Sequence, residues 1–258
     1  MKIEQVGVQL YTLREHLETP EDYQETLQKV AEIGYKSVQV AGPRPLSPSE
    51  IALLCEEKGL VINATHEDSK LIMENPAKVI ENLDEFGCRY ASYPWPGDLD
   101  FNSEAELFGL IEGLRRCGKS MTDAGKVLTY HNHDIELKNH FGRDPVLEVI
   151  YRETEAEELQ AEIDTYWVHA SDASPEAWCA RLRGRLPLLH LKDYAVGQDG
   201  EPNFAEVGSG VLDFNAIIAV AEASGCQWFN VEQDTCPGDP FESIEKSFRY
   251  IYDNLVER

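Results

Sequence analysis

Lys126-Val127-Leu128-Thr129-Tyr130-His131-Asn132-His133-Asp134 is the stretch from which the rest of the chain can be read. Val127 to Tyr130 are β-branched, apolar or aromatic and predict a short buried strand. Its C-terminal end turns abruptly polar, with two histidines two positions apart. Positions i and i+2 of a strand share a face, so His131 and His133 are expected to point the same way. Three later strand-like runs end in a similar manner: Ala161-Glu162-Ile163-Asp164, Leu188-Leu189-His190-Leu191-Lys192-Asp193 and Phe229-Asn230-Val231-Glu232-Gln233-Asp234. Four strand ends that offer imidazole and carboxylate groups suggest a divalent-metal site.

Outward from that strand, extended runs are expected over 5–11, 36–41, 60–66, 89–95, 127–133, 159–164, 187–192 and 228–234. Helices are expected between and after them, over 20–33, 47–59, 76–86, 103–124, 145–153, 174–184, 214–224 and 240–256. Pro20-Glu21-Asp22 places acid in a first turn, where the helix dipole favours it, and Gly34 stops that helix. Strands alternating with helices predict a parallel sheet with right-handed crossovers. Eight such units point to a closed (β/α)8 TIM barrel, one domain over 1–258, rather than an open sheet. The first strand-to-helix turn, Tyr11-Thr12-Leu13-Arg14-Glu15, has none of the glycines that a dinucleotide phosphate needs, which argues against a Rossmann fold. In a (β/α)8 barrel the C-terminal strand ends form one open mouth, and the polar groups above all lie at such ends.

The bulk numbers narrow the class. Hydrophobic residues make up 42% of the 258, enough for a sizeable core. The formal charge of −24 disfavours a phosphate backbone as partner, which needs Lys and Arg to displace counterions. Cys55, Cys88, Cys117, Cys179, Cys226 and Cys236 are scattered without a CxxC pair and read as single thiols in a reducing compartment. The N-terminal residues lack a signal-peptide core and no run is long enough to span a membrane, so the expectation is a cytoplasmic protein with no nucleic-acid or membrane partner.

A catalytic metal needs three or four ligands converging from different strands. The candidates are His131 (or His133), Asp164, His190 and Glu232, a mixed N/O set that suits one Mn²⁺, Co²⁺, Zn²⁺ or Fe²⁺. Each has an ordinary reading by itself. His190 between leucines could be a hydrogen-bonded core histidine, and Asp164 could cap the next helix. Glu232 is harder to set aside, because a buried carboxylate without a partner is unfavourable. Lys192 shares a face with His190 by strand parity; it could steady developing negative charge, or pair with Asp193 or Asp234. Gly208-Ser209-Gly210 before a helix could cradle phosphate or act as a loop hinge.

Taken with Val6-Gly7-Val8-Gln9-Leu10-Tyr11-Thr12-Leu13-Arg14, Tyr130 to Glu136, Asp164-Thr165-Tyr166-Trp167 and His190-Leu191-Lys192-Asp193, these motifs resemble the sugar phosphate isomerase/epimerase family with the xylose-isomerase-like barrel. The resemblance runs over nearly the whole chain. It implies one divalent metal, held in ketose 3-epimerases of this kind by Glu, Asp, His and Glu on strands five to eight. Asp164, His190 and Glu232 match the last three, whereas His131 (or His133) stands where those epimerases have glutamate. Trp167 replaces a histidine that they carry. The Tyr-His-Asn-His motif fits better a branch resembling inosose dehydratases and enzymes of 3-keto sugars.

The implied chemistry is isomerisation or epimerisation of a sugar or keto-sugar. A base, Glu232, His131 or His133, would take a proton next to a carbonyl, with Lys192 assisting. A lyase or dehydratase would share that first step, and a non-catalytic sugar-binding barrel is a further alternative. Gln9, His66, Trp95 and Trp167 are the candidate substrate contacts. Barrels of this family are often homo-oligomers. Apurinic endonucleases share the barrel, but the acidic charge argues against a DNA-facing surface.

Overall fold

Side chains along the strands alternate aliphatic and polar, and this alternation sets the layers of the molecule. In the computed structural model, which describes residues 1–197 and 199–257, β7 (Leu188–Leu191) turns Leu189 and Leu191 to one large apolar cluster and His190 to the other face. The same division holds in β1 (Val6–Gln9), β2 (Ser37–Val40), β6 (Gln160–Asp164) and β8 (Trp228–Val231). With β3 (Val61–His66), β4 (Tyr90–Tyr93) and β5 (Val127–His131), these strands pair in parallel as a closed barrel in the order β1-β8-β7-β6-β5-β4-β3-β2. The expected (β/α)8 architecture is the observed one. In the register, His131 sits opposite Glu162, and Asp164 opposite His190.

Helices α1 (Pro20–Ile33), α2 (Pro48–Glu57), α3 (Pro76–Glu85), α4 (Glu104–Asp123), α5 (Val146–Arg152), α6 (Pro175–Arg181), α7 (Phe214–Ala223) and α8 (Pro240–Asn254) follow the strands in turn. Thr19 with Asp22, and Ser47 with Glu50, form capping boxes that satisfy orphan amides at the first two helix starts. Leu27, Val30, Ile51, Leu107, Leu114 and Ile217 on these helices belong to the same apolar cluster as the outward strand residues. Among the described residues no helix is long and apolar enough to cross a membrane.

Inside the barrel the apolar fill is confined to the floor. Tyr90, Val127 and Leu188, each first in its strand, form a separate small cluster with Ala64, and Trp228 packs against it. Above them the side chains are polar and joined across the lumen. Asn63 donates to Ser37 Oγ (3.0 Å) and to Asn230 Oδ1 (2.7 Å), and Ser92 and Thr129 hydroxyls lie 2.7 Å apart. Gly7 is glycine because this cross-link passes over it: a Cβ there would lie 2.4 Å from Asn230 Oδ1 and 2.5 Å from Asn63 Nδ2.

Several strands end earlier than expected. β1 stops at Gln9 and a 3-10 helix, Leu10–His16, takes over; β5 stops at His131, so His133 lies in a turn and strand parity does not aim it. Short helices Ser69–Glu74, Ile135–Lys138 and Thr165–His169 fill what reads as loop. The largest difference concerns the polar run after β7, whose Gly-rich composition over 196–210 reads from sequence as a loop. Asp193–Val196 and Pro202–Ala205 pair as an antiparallel hairpin. The buried Asp193 carboxylate accepts from the amides of Tyr194 (2.8 Å), Gly208 (2.9 Å), Gly210 (2.9 Å) and Leu212 (3.2 Å). The Ser209 amide goes to Glu206 O (2.8 Å). Gly208-Ser209-Gly210 therefore has no free amide cradle for phosphate; it is the socket of a carboxylate from the chain itself. Gly7→Ala should destabilise the protein by about 1–3 kcal/mol through overpacking, read in urea titrations as a lower midpoint with an unchanged slope.

Candidate active site and metal centre

Asp164, at the end of β6, has a divided carboxylate. Oδ1 accepts from the Trp167 amide (3.0 Å) and caps the helix Thr165–His169. Oδ2 is buried and has no hydrogen-bond partner. Around it stand His131 Nε2 at 4.0 Å, His190 Nδ1 at 3.8 Å and Lys192 Nζ at 3.4 Å. Glu232 Oε2, just past β8, lies 2.8 Å from His190 Nδ1 and 3.1 Å from Lys192 Nζ. Ligand atoms of His131, Asp164, His190 and Glu232 all lie within 4.8 Å of one another. A buried carboxylate oxygen that accepts no hydrogen bond, facing two imidazole nitrogens and a second carboxylate, belongs to the donor set a divalent ion of borderline hardness takes. These four residues fit such an ion.

Burial and charge set the protonation of the cluster. Burial, reinforced by the charge on His190, pushes His131 down to about 3. Burial, with His131 beside it, pushes His133 down to about 2, so both imidazoles are neutral. For His190 burial acts the same way, but the Glu162 and Glu232 carboxylates outweigh it and raise it to about 10. Burial works against charge on Glu232 too, yet Lys192 and His190 hold it well below the usual carboxylate range. Asp164 is pushed up to about 7 by burial, with Lys192 opposing. Lys192 is 1% exposed; Asp164, Glu232 and Asp234 overcome its burial and keep it cationic. Its ammonium binds Asp234 Oδ1 (2.8 Å), the ion pair read from sequence, whereas Asp193 is occupied by the hairpin.

The mouth opens as a cavity of about 620 Å³ lined by Tyr11, Arg14, Arg44, His66, Trp95, His131, His133, Lys192, Glu232 and Asp234, among others. His133 sits in its wall, with its ring against Trp95 (4.9 Å), His131 (4.9 Å) and Trp167 (5.5 Å). Trp167 does not line the cavity; it packs behind His133 and over the Lys192 ammonium (5.2 Å). Gln9 is also placed differently from the expectation. It is fully buried beneath the site, where its Nε2 donates to Gln39 Oε1 (2.9 Å). His66 lines the cavity and puts Nε2 2.6 Å from Glu162.

Four groups escaped the sequence reading. Arg44 grips the buried Glu67 through both guanidinium nitrogens (2.8 and 3.2 Å), and Arg14 donates to the carbonyls of Tyr11 and Asp234 (2.9 Å each). Glu162 is fully buried among His66, His131, His190 and Gln39. Strand parity would have found it, two residues before Asp164 on the same face. Glu136 holds the turn after β5 from below, accepting from Tyr130 Oη and from the His133 amide (2.8 Å each).

Fold and site together define a class: a (β/α)8 barrel whose C-terminal mouth carries an imidazole–carboxylate cluster able to hold a divalent ion. Within that class the chain belongs to the xylose isomerase-like TIM barrel family, whose model matches residues 27–254. It is similar to an inosose dehydratase of Geobacillus thermodenitrificans (strain NG80-2), 26% identical over 169 residues, which is 58% of this chain and 55% of that enzyme. The match thus spans about half the length of such relatives. Among solved structures, a sugar phosphate isomerase/epimerase from Parabacteroides distasonis ATCC 8503 superposes with a TM-score of 0.82 at 22% identity, covering 99% of this chain and 96% of that one. An L-ribulose 3-epimerase gives 0.75 at 13% identity, covering 99% and 95%. At these identities the structural likeness speaks to the fold.

Glu136 generates a pH prediction. Burial pushes its carboxyl up to about 7 from 4.5, so the folded state binds a proton that the unfolded chain has released. Its stabilising contribution is complete below pH 4.5 and is lost as pH rises through about 7. In Glu136→Gln, denaturant-measured stability should fall less across that window than in the parent.

Proposed function

We propose that this chain is a divalent-metal-dependent enzyme that removes a proton next to the carbonyl of a keto-sugar or keto-inositol. The observation that carries this reading is the buried Asp164 Oδ2, which accepts no hydrogen bond and faces His131 Nε2, His190 Nδ1 and the Glu232 cluster. A bound Mn²⁺, Co²⁺, Zn²⁺ or Fe²⁺ would supply Lewis acidity that makes the C–H beside a bound carbonyl acidic. His131, Asp164, His190 and Glu232 would hold that ion.

The remaining roles fall to side chains around the cavity. His133 is the base we assign, on its place in the cavity wall between Trp95 and His131. Glu232 is less free, because His190 and Lys192 both engage its Oε2. Lys192, fixed as a cation, would stabilise negative charge growing on the substrate oxygen. Trp95, 43% exposed at the rim, offers a flat apolar surface to a sugar ring. His66 would contact a hydroxyl from the opposite wall.

Of the outcomes open after proton removal, loss of a neighbouring hydroxyl as water is favoured. The relatives matched in sequence are inosose dehydratases. Position 131 also carries an imidazole, so the two-glutamate pair of the ketose 3-epimerases is incomplete. Epimerisation or isomerisation is the second reading, with Glu232 returning the proton on the other face.

The test is incubation of Mn²⁺-loaded protein with a panel of keto-inositols and keto-sugars in D₂O. Deuterium next to the carbonyl, with loss of water in the mass spectrum, is the expected result; deuterium without water loss selects the second reading. EDTA should abolish exchange and Mn²⁺ or Co²⁺ restore it. His133→Gln should slow it by roughly 10²–10⁴-fold while metal affinity is kept. Metal uptake with no exchange across the panel would leave a sugar-binding barrel instead.

A further inference from the structure

His131 and His190 each have one ring nitrogen toward the mouth and the other toward the lumen, and the two rings use opposite atoms. His131 offers Nε2 upward and has Nδ1 below; His190 offers Nδ1 upward and has Nε2 below. The downward nitrogens share one carboxylate, Glu162, which no substrate-facing role claims. We infer that Glu162 is the positioning residue that decides which nitrogen each imidazole presents at the mouth: Nε2 from His131 and Nδ1 from His190. This rests on the metal reading above.

The hydrogen-bond directions can be followed from Glu162 outward. An ionised carboxylate only accepts, so Gln39, 2.5 Å away, meets Oε1 with its Nε2 and must turn its own Oε1 elsewhere. Gln39 Oε1 meets His190 Nε2 at 2.7 Å and also accepts from Gln9 Nε2 at 2.9 Å. An amide oxygen cannot donate, so His190 Nε2 carries a hydrogen whatever the charge on the ring; Nδ1, which meets Glu232 Oε2 at 2.8 Å, is the atom that can ligate once a cation displaces its proton. Glu162 Oε1 itself is 3.2 Å from the same Nε2. On the other side Glu162 Oε2 lies 3.5 Å from His131 Nδ1, without an aligned hydrogen bond in this geometry. A cation bound at Nε2 requires the proton of neutral His131 to sit on Nδ1, where Glu162 is the acceptor facing it. His66 Nε2, at 2.6 Å from Oε2, fixes the carboxylate from the third side.

The same atoms suggest a rival arrangement. His66, His131, Glu162 and His190 also bring ligand atoms within 4.8 Å of one another, and an ion there would take the downward nitrogens. The two levels differ in saturation. Both oxygens of Glu162 are engaged by Gln39 and His66 at hydrogen-bond distance, whereas Asp164 Oδ2 in the upper level accepts no hydrogen bond and has the Lys192 ammonium at 3.4 Å. The lower carboxylate is thus already used, with only His131 Nδ1 unbonded beside it, whereas the upper level keeps a carboxylate oxygen that accepts no hydrogen bond. Carboxylates behind ligating histidines fix tautomer and raise ligand basicity, and their loss typically weakens metal binding about 10–100-fold.

The experiment uses the full-length protein with ¹⁵N-labelled histidine, loaded with Zn²⁺ for NMR and titrated with Co²⁺ for affinity. The parent should ligate through Nε2 of His131 and Nδ1 of His190. Glu162→Gln, whose amide can flip and present N–H where only an acceptor fits, should bind Co²⁺ about 10–100-fold more weakly and lose that nitrogen assignment. Gln39→Leu, which removes the acceptor of His190 Nε2 and one donor to Glu162, should disturb His190 more than His131. The ligating nitrogen is a readout that a merely structural role would not move, and metal-free thermal unfolding separates folding from binding. Unchanged affinity and unchanged ligating atoms in Glu162→Gln overturn the inference and leave the metal reading standing. Ligation of the parent through the downward nitrogens overturns it in favour of the lower site. A parent protein that takes up no divalent ion removes the metal reading and this inference with it.

Discussion

An ionised carboxylate can be buried only if other charges and hydrogen bonds meet it, and this barrel buries Glu162, Asp164 and Glu232 in its upper lumen. Their compensation determines most of what surrounds them. Lys192 and a protonated His190 supply the positive charge; Gln39, His66 and the Trp167 amide supply directed hydrogen bonds. The aliphatic layers that usually fill a (β/α)8 interior are reduced to the floor at Tyr90, Val127 and Leu188. Cohesion comes instead from the cluster between strands and helices, where Val8, Leu189, Val231 and their helical partners pack. The lumen is thus free to be polar because the outer layer carries the apolar burial.

The ordinary and the functional readings of single residues turn out not to compete. Asp164 caps a helix with one oxygen and faces the site with the other. His190 is a hydrogen-bonded core histidine through Nε2 and a candidate ligand through Nδ1. Lys192 is an ion-pair partner of Asp234 and also the cation that faces Asp164 and Glu232 in the cluster. A polar side chain with two distinct atoms can satisfy local structure and chemistry together, so evidence for the first says little against the second.

The barrel was legible because its signal is repetitive: eight rounds of a short apolar run, a cap and a periodic helix survive an error in any one of them. The residues of the imidazole–carboxylate cluster stand out for a related reason, since imidazole and carboxylate at strand ends break the apolar pattern. What escaped depends on contacts distant in sequence. The hairpin Asp193–Val196 with Pro202–Ala205 is organised by Asp193 reaching Gly208 and Gly210, which local composition does not announce. Arg44 matters through Glu67, and Arg14 through the Asp234 carbonyl. His133 was placed near the site by an argument that fails, because β5 ends two residues before it, and Glu162 was passed over although the same parity argument applies to it.

The hairpin has a consequence for redesign. Asp193 is bonded directly to Lys192, and Phe204 on the returning strand lies 5.3 Å from the Lys192 ammonium. Its base is therefore continuous with the charged cluster, while the far ends of its two strands, Val196 and Pro202, are exposed. Changes at those exposed ends are of the kind that loop tips generally tolerate, whereas any change at the base would be felt at the ammonium.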